Sequence, residues 1–255
     1  MSFPSPLDIP RGIADGVTSF YRFGENQVGT SLEPLSSGGV QQILPVSGAT
    51  QLKASSTSAN DTVDGSGGRY LLLRGLDASG NEISEVLAMN GTGDTAETAA
   101  QFWRLHLAAI VGSGTYGNPI DNPSYDGAVT VTGVDGADWA FIDDGDAPPA
   151  IWNSSFYTVP AGHHAFITDF AVGTNSTKQS DIKVFTRSRA NDSDNPSAWV
   201  EANDLRGGTG LFLRTLSVPF GPIDEFTDIG VWGRVSQSNG VVTIGYSVIL
   251  VKGVA

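Results

Sequence analysis

Short apolar runs alternate with polar, glycine-rich turns along most of this chain. The stretch from Ser55 to Gly91 sets the pattern. Tyr70-Leu71-Leu72-Leu73-Arg74 is a run of buried character, Asp77-Ala78-Ser79-Gly80-Asn81 is a turn, and Ile83, Glu85, Leu87 and Met89 resume an extended pattern. Turn formers clustered between segments of strand character predict a β-hairpin. The same grammar predicts strands over residues 40–45, 50–55, 69–75, 82–90, 103–111, 127–132 and 138–142. Further strands are expected at 157–160, 164–172, 181–188, 211–219, 229–236 and 240–251. The last is the strongest, with Val242, Ile244, Tyr246, Val248 and Leu250 on one face at period two. Thr95–Phe102 contains helix-friendly residues and is read as a loop feeding the strand at Trp103.

These spacings predict an all-β protein of two tandem antiparallel β-sandwich, jelly-roll-like units preceded by an extended N-terminal arm. The arm is residues 1–33, the first sandwich 34–148 and the second 149–255. The second boundary rests on an acidic turn followed by Pro148-Pro149. Two prolines restrict the backbone and remove donors, so no strand runs through them, and residues 150–255 are expected to fold alone. The arm carries Phe3, Phe20, Tyr21 and Phe23 among prolines and glycines, with no periodicity to bury them locally. Either they pack on the chain's own first sheet, or they dock on a neighbouring subunit as a tether. The second reading makes these four aromatics the candidate partner-binding residues and the arm an assembly device.

Composition narrows the function. An apolar fraction of 40% supports a packed core, and 255 residues suffice for two sandwiches. The net charge is -13, with 14 Lys+Arg scattered along the chain and no basic run. A phosphate-facing surface needs clustered cations, so nucleic acid is not an expected partner. No segment is apolar enough to span a bilayer, and the N-terminus has no apolar stretch of signal-peptide length. No membrane partner is expected, and the chain is expected to stay in the cytoplasm or leave by lysis. Cysteine is absent, which removes disulfides and thiolate metal sites.

Chemistry is hard to find. His163 and His164 follow a Gly at a turn, and an adjacent pair in extended structure points to opposite faces; His106 stands apart. Asp143, Asp144 and Asp146, and likewise Asp192 and Asp194, are fragments of a calcium-loop pattern that lack its spacing and terminal Glu. Asp and Asn also build ordinary turns. Gly65-Ser66-Gly67-Gly68 precedes a strand and lacks the Lys of a phosphate loop, and no nucleophile elbow occurs. No catalytic residue, cofactor or metal is expected, and the chain is read as a non-enzyme. Of the five tryptophans, Trp103 and Trp232 are expected in the core, whereas Trp152 and Trp199 adjoin polar turns and are candidates for exposure. A carbohydrate platform is one reading of them, and an aromatic-rich sandwich core is the simpler one.

Three passages resemble structural proteins of tailed-bacteriophage virions: SSTSANDTVDGSGGRYLLLRGLDASGN, the adjoining GNEISEVLAMNGTGDTAETAAQFWRLHLAAIVGSGTYGN, and YTVPAGHHAFITDFAVGTN. Such families commonly carry a basic residue in the second half of the VPAG turn, where this chain has His163-His164. The resemblance implies a β-sandwich building block, most often a capsid decoration or cement protein binding the assembled shell. Its partners would be other virion proteins, major capsid or tail, with assembly in the host bacterial cytoplasm and residence in the virion. A tail or fibre component, or a host-receptor or glycan-binding adhesin module, are the alternatives. Apolar edge strands favour a homo-oligomer, and the resemblance makes that oligomer a trimer.

Overall fold

The computed structural model describes residues 15–40, 48–115, 125–144, 150–175, 179–188, 190–192, 197–208, 210–237 and 239–253. Among the described residues there is no α-helix, only a 3-10 turn at Ser37–Gly39. The strands are β1 (Val17–Val28), β2 (Glu33–Pro34), β3 (Leu52–Ser56), β4 (Gly68–Leu76), β5 (Glu82–Ala88), β6 (Arg104–Ser113), β7 (Val129–Gly133) and β8 (Asp138–Ile142). They continue with β9 (Tyr157–Thr158), β10 (His163–Thr174), β11 (Ser180–Arg187), β12 (Val200–Gly208), β13 (Phe212–Ile223), β14 (Asp228–Val235) and β15 (Gly240–Lys252). The all-β, antiparallel expectation holds. The expected strand over 40–45 falls almost wholly outside the described residues.

The chain divides into two units, and they are nested rather than successive. One comprises Met1–Leu35 with Ser155–Ala255, and the other is the insertion Ser36–Ser154. The chain crosses between the units at Leu35/Ser36 and at Ser154/Ser155. The N-terminal segment, however, is no free arm: from Val17 it is a strand of the split unit, paired along its whole length with β15 from Val17↔Val251 to Val28↔Gly240. The sequence hid this because β1 alternates weakly, with Arg22, Gly24 and Asn26 on the face that Phe20 and Val28 share.

Strand pairing in the split unit follows one rule. Its two sheets run β1-β15-β10-β13 and β12-β11-β14-β2. Counting the eight strands on these two paths in chain order, the first pairs with the last, the second with the seventh, the third with the sixth and the fourth with the fifth. That is a long antiparallel hairpin wound into two facing sheets, the jelly roll. Its core interleaves Ile167, Phe170, Ile244, Tyr246 and Val248 of one sheet with Ile182, Val184, Ile229 and Val231 of the other.

The insertion interrupts a single edge strand. β2 lies against Trp232 and Gly233 of β14, and β9 lies against Asp228 and Ile229 of the same strand. Between them Leu35 N–H donates to the Val231 carbonyl (3.0 Å), and Ser155 N–H donates to the Leu35 carbonyl (3.1 Å). The two cut ends therefore form one composite strand beside β14.

Buried polar groups from the opposite sheet hold this seam. Tyr246 of β15 donates its hydroxyl to the Ser155 carbonyl (2.6 Å), and Arg22 of β1 donates to the Phe156 carbonyl (2.6 Å). Seam carbonyls that face the interior have no water to bond, so they need such donors. Burial lowers the Arg22 pKa below its ordinary value, partly offset by Tyr246 and Tyr157. Burial also pushes the Tyr246 phenol well above its ordinary value, against the lowering effect of Arg22. Gly24 of β1 lies where the seam passes: a Cβ there would stand 2.1 Å from the Leu35 carbonyl oxygen and 2.6 Å from the Ser155 nitrogen.

The inserted unit is a smaller sandwich of two three-stranded sheets, β3-β7-β8 and β5-β4-β6. The predicted hairpin of Ser55–Gly91 is β4–β5, in register from Tyr70↔Ala88 to Leu76↔Glu82. Leu52, Ala54, Val129, Val131, Trp139 and Ile142 of the first sheet pack with Leu71, Leu73, Leu87 and Leu105 of the second. Its own ends are bridged, with Ser36 opposite Ser154 and Ser37 N–H donating to the Asn153 carbonyl (2.8 Å). Asp61 sits fully buried at its organising point. Its carboxylate accepts from the Ser56 hydroxyl and from the backbone N–H groups of Gly68 (2.6 Å), Asp126 (3.0 Å) and Gly127 (3.0 Å).

Candidate interaction surfaces

The four candidate aromatics separate by strand parity. Alternate residues of a strand point to opposite faces. Phe20 points inward, packs on the jelly-roll core and sits 4.7 Å, ring to ring, from Tyr157. Tyr21 and Phe23 point outward and are 54% and 40% exposed. Phe3 lies outside the described residues. The tyrosine ring crosses onto the neighbouring strand, where a Cβ on Gly245 would lie 1.7 Å from its hydroxyl. Burial against the sheet and the charge of Asp169 raise its pKa. Asp169 is held in place by Thr168 (2.9 Å) and Ser247 (3.2 Å).

The opposite edge of the same sheet is β13. It pairs with β10 from Val172↔Phe212 to Asp169↔Thr215, and the register resumes only at Ile167↔Phe220. Leu216 to Pro219 are thus bulged off the ladder, consistent with the tolerance of edge strands for proline. Leu211, Leu213 and Val218 are 75%, 74% and 75% exposed, the highest values for large apolar residues among those described. The apolar pattern predicts this strand over 211–219, and it extends to Ile223. The signal of its exposure was the length of the run LFLRTLSVPF, which exceeds what one half-buried edge can cover.

A third feature lies on the outer face of the other jelly-roll sheet. Trp232 of β14 is met edge-on by Phe185 (5.1 Å), Trp199 (5.1 Å) and Phe156 (5.3 Å). Leu32, Phe185, Trp199 and Trp232 line an apolar depression of about 270 Å³. Beside it Arg187 and Asp228 form a buried ion pair (2.5 Å), and the guanidinium lies 4.8 Å from the Trp199 ring centre. Thr158 donates to the other Asp228 oxygen (2.6 Å). Trp232, expected in the core, is instead on this outer face, because β14 turns Ile229 and Val231 inward. Trp199 is half-buried, and Trp152, the other candidate for exposure, is buried in the inserted unit with Trp103 and Trp139.

Residues tested for chemistry are dispersed. His163 contacts the Ala161 carbonyl two residues before it (2.9 Å), and His164 makes an exposed contact with Asp224 (3.2 Å). Asp143 and Asp144 are exposed, and the Asp143 carbonyl accepts from Tyr125; Asp146 and Asp194 lie outside the described residues. Among the described residues no three His, Cys, Asp or Glu side chains converge as a metal site, and no helix is long and apolar enough to cross a membrane.

No protein-family description matches this chain, and neither does any curated protein sequence. Solved structures that align with it include that of the infectious bursal disease virus Gx strain, at 12% identity over 96% of this chain and 73% of that one, with a TM-score of 0.24. Another is of infectious bursal virus derived T=1 particles, at 12% identity over 94% and 75% of the two chains, with a TM-score of 0.18. Scores of this size do not establish a shared fold.

Proposed function

We propose that this chain is a non-enzymatic structural protein of a tailed-bacteriophage virion, of the capsid decoration or cement type. The observation that carries the reading is the nested pairing of the jelly roll, first strand with last through to fourth with fifth. Jelly rolls recur in viral capsid domains, lectins and cupins. A cupin-like role needs an open, ligand-bearing barrel, whereas here apolar side chains fill the space between the sheets. The phage assignment comes from the three resembling passages. A cysteine-free chain suits assembly in bacterial cytoplasm, and a second β unit inserted in an edge strand suits a protein that presents one module while another is bound.

The aromatic depression beside Trp232 favours a second reading, a glycan- or receptor-binding module. Rigid tryptophan faces with charged neighbours suit the apolar face and hydroxyls of a sugar ring. Mixing the purified protein with shells assembled without it, and separately with host cells and their polysaccharide, distinguishes the two. Saturable co-sedimentation with shells alone is the expected result. Binding to cells or polysaccharide without shells, lost in Trp232→Ala, would replace the cement reading with the adhesin one.

A further inference from the structure

Among the described residues, five of the eleven exposed large apolar side chains lie at the two ends of a single sheet. Tyr21 and Phe23 are on β1, and Leu211, Leu213 and Val218 are on or beside β13. Both strands end the sheet order β1-β15-β10-β13, and each is 12 residues long. Free edges normally carry charges or prolines that block pairing. Here proline falls only in the second half of β13, at Pro219 and Pro222, leaving Leu211 to Val218 without one.

We propose that these edges are the two halves of one interface, through which residues 17–23 of β1 in one copy pair antiparallel with the proline-free stretch 211–217 at the start of β13 in the next. Strand direction permits it, since β1 runs with β10 and opposite to β13. Charge permits it too. In a chain of net charge -13, β1 and β13 together hold Glu25 as their one carboxylate against Arg22 and Arg214.

The register is chosen by the same residues. Tyr21 opposite Leu213 sets Phe23 opposite Leu211 and Ser19 opposite Thr215. The outward apolar side chains then form cross-strand pairs on the face that both strands expose. Moving two residues, to Phe23 opposite Leu213, would set Tyr21 opposite Thr215 and Glu25 opposite Leu211, and one of the two apolar cross-strand pairs would be lost. Because the interface joins different patches, it is head-to-tail. It closes into a ring if the sheet twist brings the last copy back to the first. This inference does not depend on the virion reading, since the association would occur in the purified protein.

The absence of cysteine makes the test direct. Tyr21→Cys and Leu213→Cys are prepared singly and together, each checked for an unchanged thermal melt, and oxidised mildly at micromolar concentration. The double variant should give covalent multimers, and an equal mixture of the two single variants should give only dimers. Each single variant alone should stay monomeric on a non-reducing gel. Leu213→Asp should weaken association at least tenfold in sedimentation. Cross-linking of Leu213→Cys with itself would overturn the head-to-tail arrangement in favour of two-fold pairing of β13. Absence of cross-links in every arm, with or without association by sedimentation, would overturn the interface itself.

Discussion

Asp61 shows how much one residue organises without doing chemistry. Four donors converge on its carboxylate, three of them backbone N–H groups, one from the start of β4 and two from the loop before β7. Asp61→Ala orphans all four in a dry site and should destabilise the inserted unit by about 3 kcal/mol or more, read by chemical denaturation; an Ala variant as stable as the parent would remove Asp61 from this role. Tyr246 makes a pH prediction. Its folded-state pKa lies above the unfolded one, as does that of Tyr125, mainly through burial. The unfolded chain therefore ionises first, so this stability is complete below about pH 10 and is lost as pH rises beyond it. Melting temperature should fall from about pH 10 upward. Tyr246→Phe should reduce that slope, while losing roughly 1–3 kcal/mol at neutral pH because the Ser155 carbonyl goes unbonded. At Gly24 the expected change is steric: Gly24→Ala drives a methyl into backbone and should cost roughly 2 kcal/mol.

At the scale of elements, the composite strand beside β14 makes the two units separable at Leu35 and Ser155, and not at the prolines after Asp146. Replacing Ser36–Ser154 with a short Gly-Ser linker should leave a jelly roll that melts cooperatively, and the excised insertion should also fold. A fragment of residues 150–255 lacks β1 and β2, exposes the β15 edge and removes the Arg22 contact to Phe156. It should be insoluble or melt without cooperativity. A well-folded fragment would show that β1 is dispensable. Strands whose apolar residues alternate or run together, β4, β5 and β15 above all, were legible in the sequence because local pattern decides them. β1 and β12 were not. β12 opens with Val200-Glu201-Ala202-Asn203-Asp204, too polar to predict a strand, and it is pairing with β11 that makes it one. The surface on β13 was equally hidden, since exposure depends on which strand ends the sheet. Asp61 looked like one turn aspartate among many until the chain brought Asp126 and Gly127 to it.

For the whole molecule, the net charge of -13 opposes association of copies at long range. Added salt screens that repulsion over a Debye length of about 10 Å at 0.1 M, while apolar edge contacts are unaffected or strengthened. Sedimentation at constant protein concentration should therefore show more self-association at about 0.2 M salt than at about 0.02 M; the opposite trend would point to an interface held by ion pairs. Finally, the pairing of β1 with β15 has a mechanical meaning. Val17 lies opposite Val251, so force entering along one strand and leaving along the other acts at the same end of the ladder. The load then falls on one rung at a time, and the jelly roll opens by peeling β1 away rather than by shearing twelve residue pairs together. Tension applied between Val17 and Val251 should therefore open the jelly roll at low force, and a strand paired on the second edge of β1 would raise that force.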